Sequence, residues 1–163
     1  MPVRSKRQLA SDKTFRAIGR FLFEFSQLDY EIRRQVGEAA GVDDWHVHSI
    51  MTQDFGPLCI AAIAVFDFEY STTRQKAQRD IMRGLLKRAQ SLNNVRNAVA
   101  HGLWVPFEDG GKVIHMPKNL QLNVSSQQAR ALEMKADEAK ELRREIEAVV
   151  TEKPPRRKSK VWR

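Results

Sequence analysis

Three side chains suited to acid–base and phosphate chemistry lie close together in LNNVRNAVAHGLWV, residues 92–105: Arg96, Asn97 and His101. On an ideal helix Asn97 and His101 are four residues apart and share a face. Arg96 and His101 are five apart and point about 140° away from each other. Because an arginine side chain is long enough to curl part of that way, we expect the three to converge where the helix ends.

The chemistry of these three residues suits a ribose–phosphate substrate. Arginine offers a planar, permanently charged fork that matches a phosphate, and histidine exchanges protons near neutral pH. Asparagine can orient either partner or bind the substrate. RNA carries its own nucleophile, the 2′-hydroxyl, so a base beside it and a cation on the phosphate suffice for cleavage. The residues therefore predict RNA chemistry that needs no metal or cofactor.

Neighbouring side chains extend this candidate site. Asn93 and Asn94 are expected to line the same cleft, although asparagine is also common near helix ends. Trp104 could stack a base or, as the favoured alternative, pack the following segment onto the helices. A purely structural alternative has Arg96 paired with an acid such as Asp29 while His101 caps carbonyls.

Helical periodicity predicts the elements that position the site. Apolar residues at helical spacing predict a first helix over about residues 14–39, with Glu31 on its solvent-facing side and an end near Gly41. Gly56-Pro57 opens a second, nearly all-apolar helix. A third starts near Thr73, buries a stripe that includes Ile81, and reaches Ala100 or His101, with Gly102 as a left-handed cap. Ser125 or Ser126 is expected to cap the fourth, which ends at Pro154-Pro155.

Between the third and fourth helices, two short apolar segments flank Glu-Asp-Gly-Gly at residues 108–111, which predicts a β-hairpin. The predicted fold class is all-α: an up-and-down four-helix bundle with this hairpin between helices three and four. We divide the chain into a basic N-terminal arm (1–13), one helical domain (14–150) and a basic disordered tail (151–163).

Charge is concentrated at the two ends of the sequence. The chain of 163 residues has a net charge of +8, yet residues 1–20 and 152–163 each carry a net +5 and leave the remainder near neutral. Basic ends favour polyanions such as RNA, or simply aid solubility. One cysteine excludes a disulfide framework, the start lacks an apolar signal core, and residues 58–66 are too few to span a bilayer. We expect a cytoplasmic protein with no membrane partner.

The segment Arg96-Asn97-Ala98-Val99-Ala100-His101 resembles the R-x4-6-H motif of the HEPN superfamily (higher eukaryotes and prokaryotes nucleotide-binding). The polar residue after the arginine and Gly102 after the histidine are similar to common forms of that motif. The resemblance implies a compact helical bundle over roughly residues 14–150. It also implies a homodimer in which two motifs face each other across a cleft.

The resemblance further implies a metal-independent endoribonuclease of a toxin–antitoxin or other defence system, with a protein antitoxin as a possible partner. Carried over, Arg96 would contact the scissile phosphate, His101 would transfer protons, and Asn97 would support both. The products would be a 2′,3′-cyclic phosphate and a 5′-hydroxyl. The alternative is a non-catalytic helical module that binds RNA, a nucleotide or a protein.

Four other residues have less specific signals. His46 and His48 form an H-x-H pair without a third ligand nearby in sequence, so we predict no metal site. Cys59 is expected to be a small core residue. Phe23 points away from the core face of helix one and is a candidate for a subunit interface.

Overall fold

A computed structural model describes residues 6–42, 54–107, 110–115, 123–127 and 129–151, where the chain forms four α-helices and a three-stranded sheet. The helices are α1 (Lys6–Ala40), α2 (Phe55–Glu69), α3 (Lys76–His101) and α4 (Ala129–Thr151), and a short 3-10 helix (Thr73–Gln75) precedes α3. The strands are β1 (Leu103–Phe107), β2 (Gly110–His115) and β3 (Asn123–Gln127). The prediction of a helical bundle is confirmed.

The bundle core is built from apolar stripes that recur at three- and four-residue spacing, as an amphipathic helix requires. Each of the four helices contributes one stripe, and the side chains interlock into a single cluster. The largest members include Phe21, Leu28 and Ile32 of α1, Leu58 and Phe66 of α2, Met82, Leu86 and Leu92 of α3, and Leu132, Leu142 and Ile146 of α4.

The first two helices run parallel. The rings of Phe25, in the middle of α1, and Phe55, at the start of α2, are 4.6 Å apart between centroids. Tyr70 follows the end of α2; burial raises its pKa, and the carboxylates of Glu69 and Glu38 add to the effect. Glu38 near the end of α1 therefore lies beside the end of α2, so both helices advance in the same direction.

The third helix runs opposite to the second. Asp67 near the end of α2 pairs at 2.5 Å with Arg83 near the start of α3. A groove joins Gly56, at the start of α2, to Asn94, late in α3. The short connection between these two helices makes them antiparallel neighbours.

The fourth helix runs parallel to the first. Glu133, early in α4, pairs with Arg20 in the first half of α1. Glu145, late in α4, pairs at 2.8 Å with Arg88 of α3, which lies level with the second half of α1. The predicted up-and-down order is therefore wrong: α1, α2 and α4 run in one direction and α3 in the other. The prediction assumed that every connection joins antiparallel neighbours, which holds only for short connections such as residues 70–75.

The three strands form an antiparallel sheet in the order β1-β2-β3, with Trp104 opposite Val113 and Val113 opposite Ser125. The sheet packs against α1 and α3 beside the end of α3. The sequence predicted two strands here and assigned Ser125 or Ser126 to the cap of the fourth helix. That assignment is wrong, because both serines lie in β3 and α4 begins at Ala129.

Helix ends also differ from the prediction. α1 begins at Lys6, well before the predicted start at Thr14, whose hydroxyl donates to the Ala10 carbonyl at 3.1 Å inside the helix. Gly41 has a φ of 72° and ends α1 in the left-handed conformation, as the position of a helix-terminal glycine requires. Gly102 instead has a φ of −81° and a ψ of 149°, so it leads into β1 as extended chain. The predicted left-handed cap at Gly102 is wrong.

Two side chains have the opposite solvent exposure from the one predicted. Glu31, assigned to the solvent-facing side of α1, is only 4% exposed and accepts hydrogen bonds from Arg34 and Gln35. Ile81, assigned to the buried stripe of α3, is 53% exposed, while Met82 takes the buried position. None of the helices within the described ranges is long and apolar enough to cross a membrane.

Candidate functional site

Arg96 occupies a position on α3 that faces the bundle. It follows Leu92 by four residues and precedes Val99 by three, and both of these are almost completely buried. The guanidinium is nevertheless only partly buried, because α3 ends one and a half turns later and the core opens there. Such a position restrains the stem of the side chain by packing and leaves its charged end accessible.

The Arg96 guanidinium is oriented by its neighbour. Its Nη1 donates to Oδ1 of Asn97 at 3.0 Å, so the asparagine fixes the fork without neutralising it. His101 is exposed and is the last residue of α3. Among the described residues no hydrogen bond joins His101 to Arg96 or Asn97. The three side chains therefore share one helix end, with the arginine and asparagine in contact and the histidine open to solvent.

The acidic residue considered as an alternative partner for Arg96 is paired with a different arginine. Asp29, proposed as a possible ion-pair partner of Arg96, accepts from Nε of Arg33 at 3.1 Å on the same helix. No ion pair to Arg96 is found among the residues that the structure describes. Its charge is thus available to a ligand at the end of α3.

Asn93 and Asn94 lie in an open groove of about 410 Å³ between the start of α2 and the middle of α3. Gly56, Pro57 and Ile60 form the α2 wall; Lys87, Gln90, Ser91, Asn93 and Asn94 form the α3 wall. None of these lining residues is acidic. The groove thus combines one cation with several amide and hydroxyl groups, which suits a ligand that is both anionic and rich in hydrogen-bonding groups.

One acceptor in the groove has no donor. Oδ1 of Asn93 is buried, and no described group donates to it. A buried polar atom without a partner is unfavourable by roughly 1–3 kcal/mol, and because this oxygen is closed to solvent a ligand in the groove can donate to it only after the surrounding side chains move. Ribose hydroxyls and base amino groups are such donors.

The groove and His101 lie on the same side of α3. Lys87, Asn94 and His101 are spaced by seven residues, and positions seven apart on a helix drift by only about 20°. From Lys87 to His101 the helix advances by about 21 Å. A continuous polar strip therefore leads from the groove to the helix end that holds the arginine and the histidine.

Trp104 packs partly buried against the core, and its Nε1 donates to the carbonyl of Val99 at 2.9 Å. Of the two roles considered for this residue, the contacts support packing of the sheet onto the bundle. The indole nitrogen is occupied, while the accessible part of the ring lies beside the end of α3.

The other candidates add no second site within the part of the chain that the structure describes. Within the described ranges no group of three His, Cys, Asp or Glu side chains is placed to hold a metal ion, and His46 and His48 lie outside those ranges. Cys59 is completely buried, and burial, followed by the charge of Asp29, raises the pKa of its thiol to about 12. Phe23 is 60% exposed, on the outer side of α1.

Three groove residues were not predicted from the sequence: Lys87, Gln90 and Ser91. They lie on the polar face of an amphipathic helix, where a solvated surface is the ordinary interpretation. Their seven-residue relation to Asn94 and His101 was the available signal, but only the position of α2 shows that this face borders a groove.

Comparison with protein-family models, with curated proteins and with solved structures gives no match.

Proposed function

We propose that this protein is a metal-independent endoribonuclease of HEPN type that cleaves RNA at the end of α3. The observation that supports this most directly is the arrangement of the R-x4-H segment. Arg96 is held by Asn97 at 3.0 Å without an acidic partner among the described residues, on the same helix end as the exposed His101. A partly buried cation and an exposed proton-transfer group thus lie within the last two turns of the same helix.

In the proposed reaction the RNA 2′-hydroxyl attacks the adjacent phosphorus. The new bond joins the 2′-oxygen to phosphorus, and the bond from phosphorus to the 5′-oxygen breaks, giving a 2′,3′-cyclic phosphate and a 5′-hydroxyl. His101 takes the proton of the attacking hydroxyl or returns one to the leaving oxygen. Arg96 stabilises the charge that develops on the phosphoryl oxygens, and Asn97 orients Arg96. In a homodimer the second copy supplies the other proton-transfer group.

The groove at Lys87 and Asn94 gives the RNA strand a place to bind beside the site of cleavage. Its strip to His101 is long enough for about six stacked nucleotides at about 3.4 Å each. Lys87 neutralises a phosphate, and Asn94, which is exposed in the groove, hydrogen-bonds a ribose or base. Trp104 is a candidate to stack a base with the accessible part of its ring.

The test is cleavage of a mixed RNA pool in EDTA, with identification of the new ends. Wild-type protein is expected to give cyclic-phosphate ends, and His101→Ala is expected to give none while keeping its circular dichroism spectrum and melting temperature. His46→Ala is the matched control, because it removes a histidine outside the R-x4-H segment and should cleave like wild type. Full cleavage by a purified, folded His101→Ala variant would exclude the proposed chemistry.

The resemblance to HEPN proteins suggests a biological setting for this activity. A ribonuclease of this kind would act as a toxin or defence effector in the cytoplasm, held in check by a protein antitoxin. Co-purification of a tightly bound inhibitory protein from the native host is the corresponding observation.

A second candidate function is a non-catalytic module that binds RNA. The groove, with the exposed Lys87 and Asn94, supports this function equally, since binding there does not require His101. RNA binding by wild type and His101→Ala alike, without cleavage by either, would support it. A steep salt dependence that disappears on deleting residues 152–163 would instead assign the binding to the basic C-terminal segment.

A further inference from the structure

The groove between α2 and α3 has an apolar wall and a polar wall that face each other. Ile60 on the α2 wall is 64% exposed. On the α3 wall, Gln90 and Asn94 are four residues apart and therefore lie one turn apart on the same side of the helix. The groove thus suits a flat ligand with an apolar face and a polar edge, and a nucleobase is such a ligand.

The two amides on the α3 wall are available to a ligand. Among the described residues no group forms a hydrogen bond with the side chain of Gln90 or Asn94. Asp67, a carboxylate of α2 that faces α3, is paired with Arg83 at 2.5 Å and does not line the groove. The donors and acceptors of both amides are therefore not committed within the described part of the chain.

We propose that the groove recognises one adenine of the RNA strand and thereby sets where the strand is cleaved, an inference that rests on the proposed function. An amide binds adenine through two hydrogen bonds, because its oxygen accepts from the 6-amino group while its NH₂ donates to N7. Guanine presents two acceptors at the same edge, and cytosine and uracil have no N7. Gln90 and Asn94 therefore select adenine, and the ring packs on Ile60.

The rest of a nucleotide also has a place in the groove. Lys87 precedes Gln90 by three residues, so its ammonium group lies one turn from the amides and can bind the phosphate beside the base. Gly56 has no side chain, and a Cβ added there would have no atom within 4 Å, which leaves room for the ribose. The groove volume of about 410 Å³ is near the lower end of the range for small-molecule sites, as expected for a single nucleotide.

The separation between the groove and His101 gives the adenine a defined distance from the site of cleavage. Asn94 and Gln90 precede His101 by about 10 and 17 Å along α3. Stacked nucleotides advance by about 3.4 Å each, so the adenine lies about three to five nucleotides from the scissile phosphate. Cleavage should therefore occur at a fixed spacing from adenine and not directly beside it.

Short oligouridines that carry a single adenosine test this spacing. Wild-type protein in EDTA should cut them about three to five nucleotides from the adenosine, and the cut should move in step when the adenosine is moved. The same RNAs with guanosine or cytidine in its place should be cut at least about fivefold more slowly. Cuts that ignore the position of the adenosine would overturn the proposal and leave the endoribonuclease function intact.

Binding is measured separately, so that the adenine site and the proposed function can fail independently. Fluorescence anisotropy with the His101→Ala variant should show the single-adenosine oligouridine bound at least about fivefold more tightly than plain oligouridine. This preference without any cleavage by wild type would exclude the endoribonuclease and support the adenine site. Equal affinities for the two RNAs, or no binding to either, would overturn the adenine site.

Groove variants with matched controls identify the residues responsible for the preference. The double variant Gln90→Ala, Asn94→Ala should bind both RNAs with the same affinity. Gln27→Ala, at an amide of α1 outside the groove, should keep the wild-type preference. A double variant that still prefers the adenosine RNA would contradict the proposal.

A second pair of variants closes the groove without removing its amides. Gly56→Leu should fill the space beside Gln90 and abolish the preference for adenosine. Gly84→Leu, at a glycine of α3 outside the groove where an added Cβ also has no atom within 4 Å, should keep the preference. Both should keep or raise the melting temperature, because leucine favours a helix over glycine. A folded Gly56→Leu variant with the wild-type preference would place adenine recognition elsewhere and overturn the proposal.

Discussion

The indole nitrogen of Trp104 donates a hydrogen bond to the carbonyl of Val99 at 2.9 Å. Val99 is in the last turn of α3, where carbonyls lack partners within the helix. The bond therefore joins the first strand of the sheet to the helix end that carries His101. Because Trp104 also packs against the core, one side chain sets the direction in which the chain leaves the bundle.

We predict that Trp104→Phe lowers the free energy of unfolding by about 1 kcal/mol, since the ring is largely kept and one hydrogen bond is lost. Urea unfolding followed by circular dichroism measures the change. Trp162→Phe controls for the general effect of removing a tryptophan. If Trp104 also stacks a base, phenylalanine can still stack, so RNA affinity should be nearly unchanged. A variant of wild-type stability with weakened RNA binding would show that the indole contacts RNA instead.

Alanine substitutions at Gly41 and Gly102 compare two helix-terminal glycines that differ in backbone conformation. At Gly41, with a φ of 72°, alanine should lower the free energy of unfolding by about 1–2 kcal/mol, because an L-residue is strained in the left-handed region. At Gly102, with a φ of −81°, alanine meets no such strain and should change stability by less than about 0.5 kcal/mol. Denaturant unfolding of both variants tests this. A larger loss at Gly102 than at Gly41 would contradict the assigned conformations.

A substitution at Lys87 tests whether RNA binds in the groove. It is the only cation among the groove residues that the structure describes, and no carboxylate lines the groove beside it. Lys87→Ala should weaken RNA binding by about three- to tenfold at low salt and reduce the slope of log affinity against log salt by about one unit. The catalytic rate at saturating RNA should stay the same, because Lys87 is about 21 Å from His101 along α3.

Lys76→Ala, at an exposed lysine at the start of the same helix, is the control for this experiment. It changes the net charge equally but lies outside the groove. Equal losses of affinity in the two variants would mean that RNA responds to overall charge, and the groove would have no specific role.

The apolar periodicity of the sequence predicted the four helices and most of the core, because burial at three- and four-residue spacing is a local property of each segment. The directions of the helices could not be predicted in the same way. They depend on which helices meet, as in the pairs Phe25 with Phe55 and Arg88 with Glu145, and no local pattern encodes such contacts.

In the candidate site, too, local features were predictable from the sequence and contacts between helices were not. The neighbours Arg96 and Asn97 are joined as a local argument suggests, whereas the approach of His101 to Arg96 depends on side-chain positions that helix geometry alone does not fix. The groove was not predictable, because its second wall comes from the start of α2. Glu31 was misassigned because its burial depends on partners, Arg34 and Gln35, that satisfy its charge within α1.

The ionisation of Cys59 should make the protein less stable at alkaline pH. Burial, followed by the charge of Asp29, raises the pKa of its thiol from an ordinary 9.0 to about 12 in the folded protein. The folded state therefore keeps the thiol neutral between pH 9 and 12, while the unfolded state loses the proton. The stability contributed by this group is fully present below pH 9 and is lost as the pH rises towards 12.

We expect the free energy of unfolding to fall above about pH 9, by at most about 1.4 kcal/mol per pH unit for one such group. Urea unfolding at about pH 8 to 10.5 measures the slope. Cys59→Ala should be less stable at the lower pH but should show a shallower fall. Tyr70→Phe should also flatten the curve, because burial raises the pKa of Tyr70 in the same direction.

Thiol labelling gives an independent check on the same cysteine. At about pH 8 the buried Cys59 should react with a thiol reagent only as fast as the protein unfolds, and saturating urea should restore the rate of a free thiol. Rapid labelling of the folded protein would show that Cys59 is accessible and ionised, and both the raised pKa and the alkaline loss of stability would then be wrong.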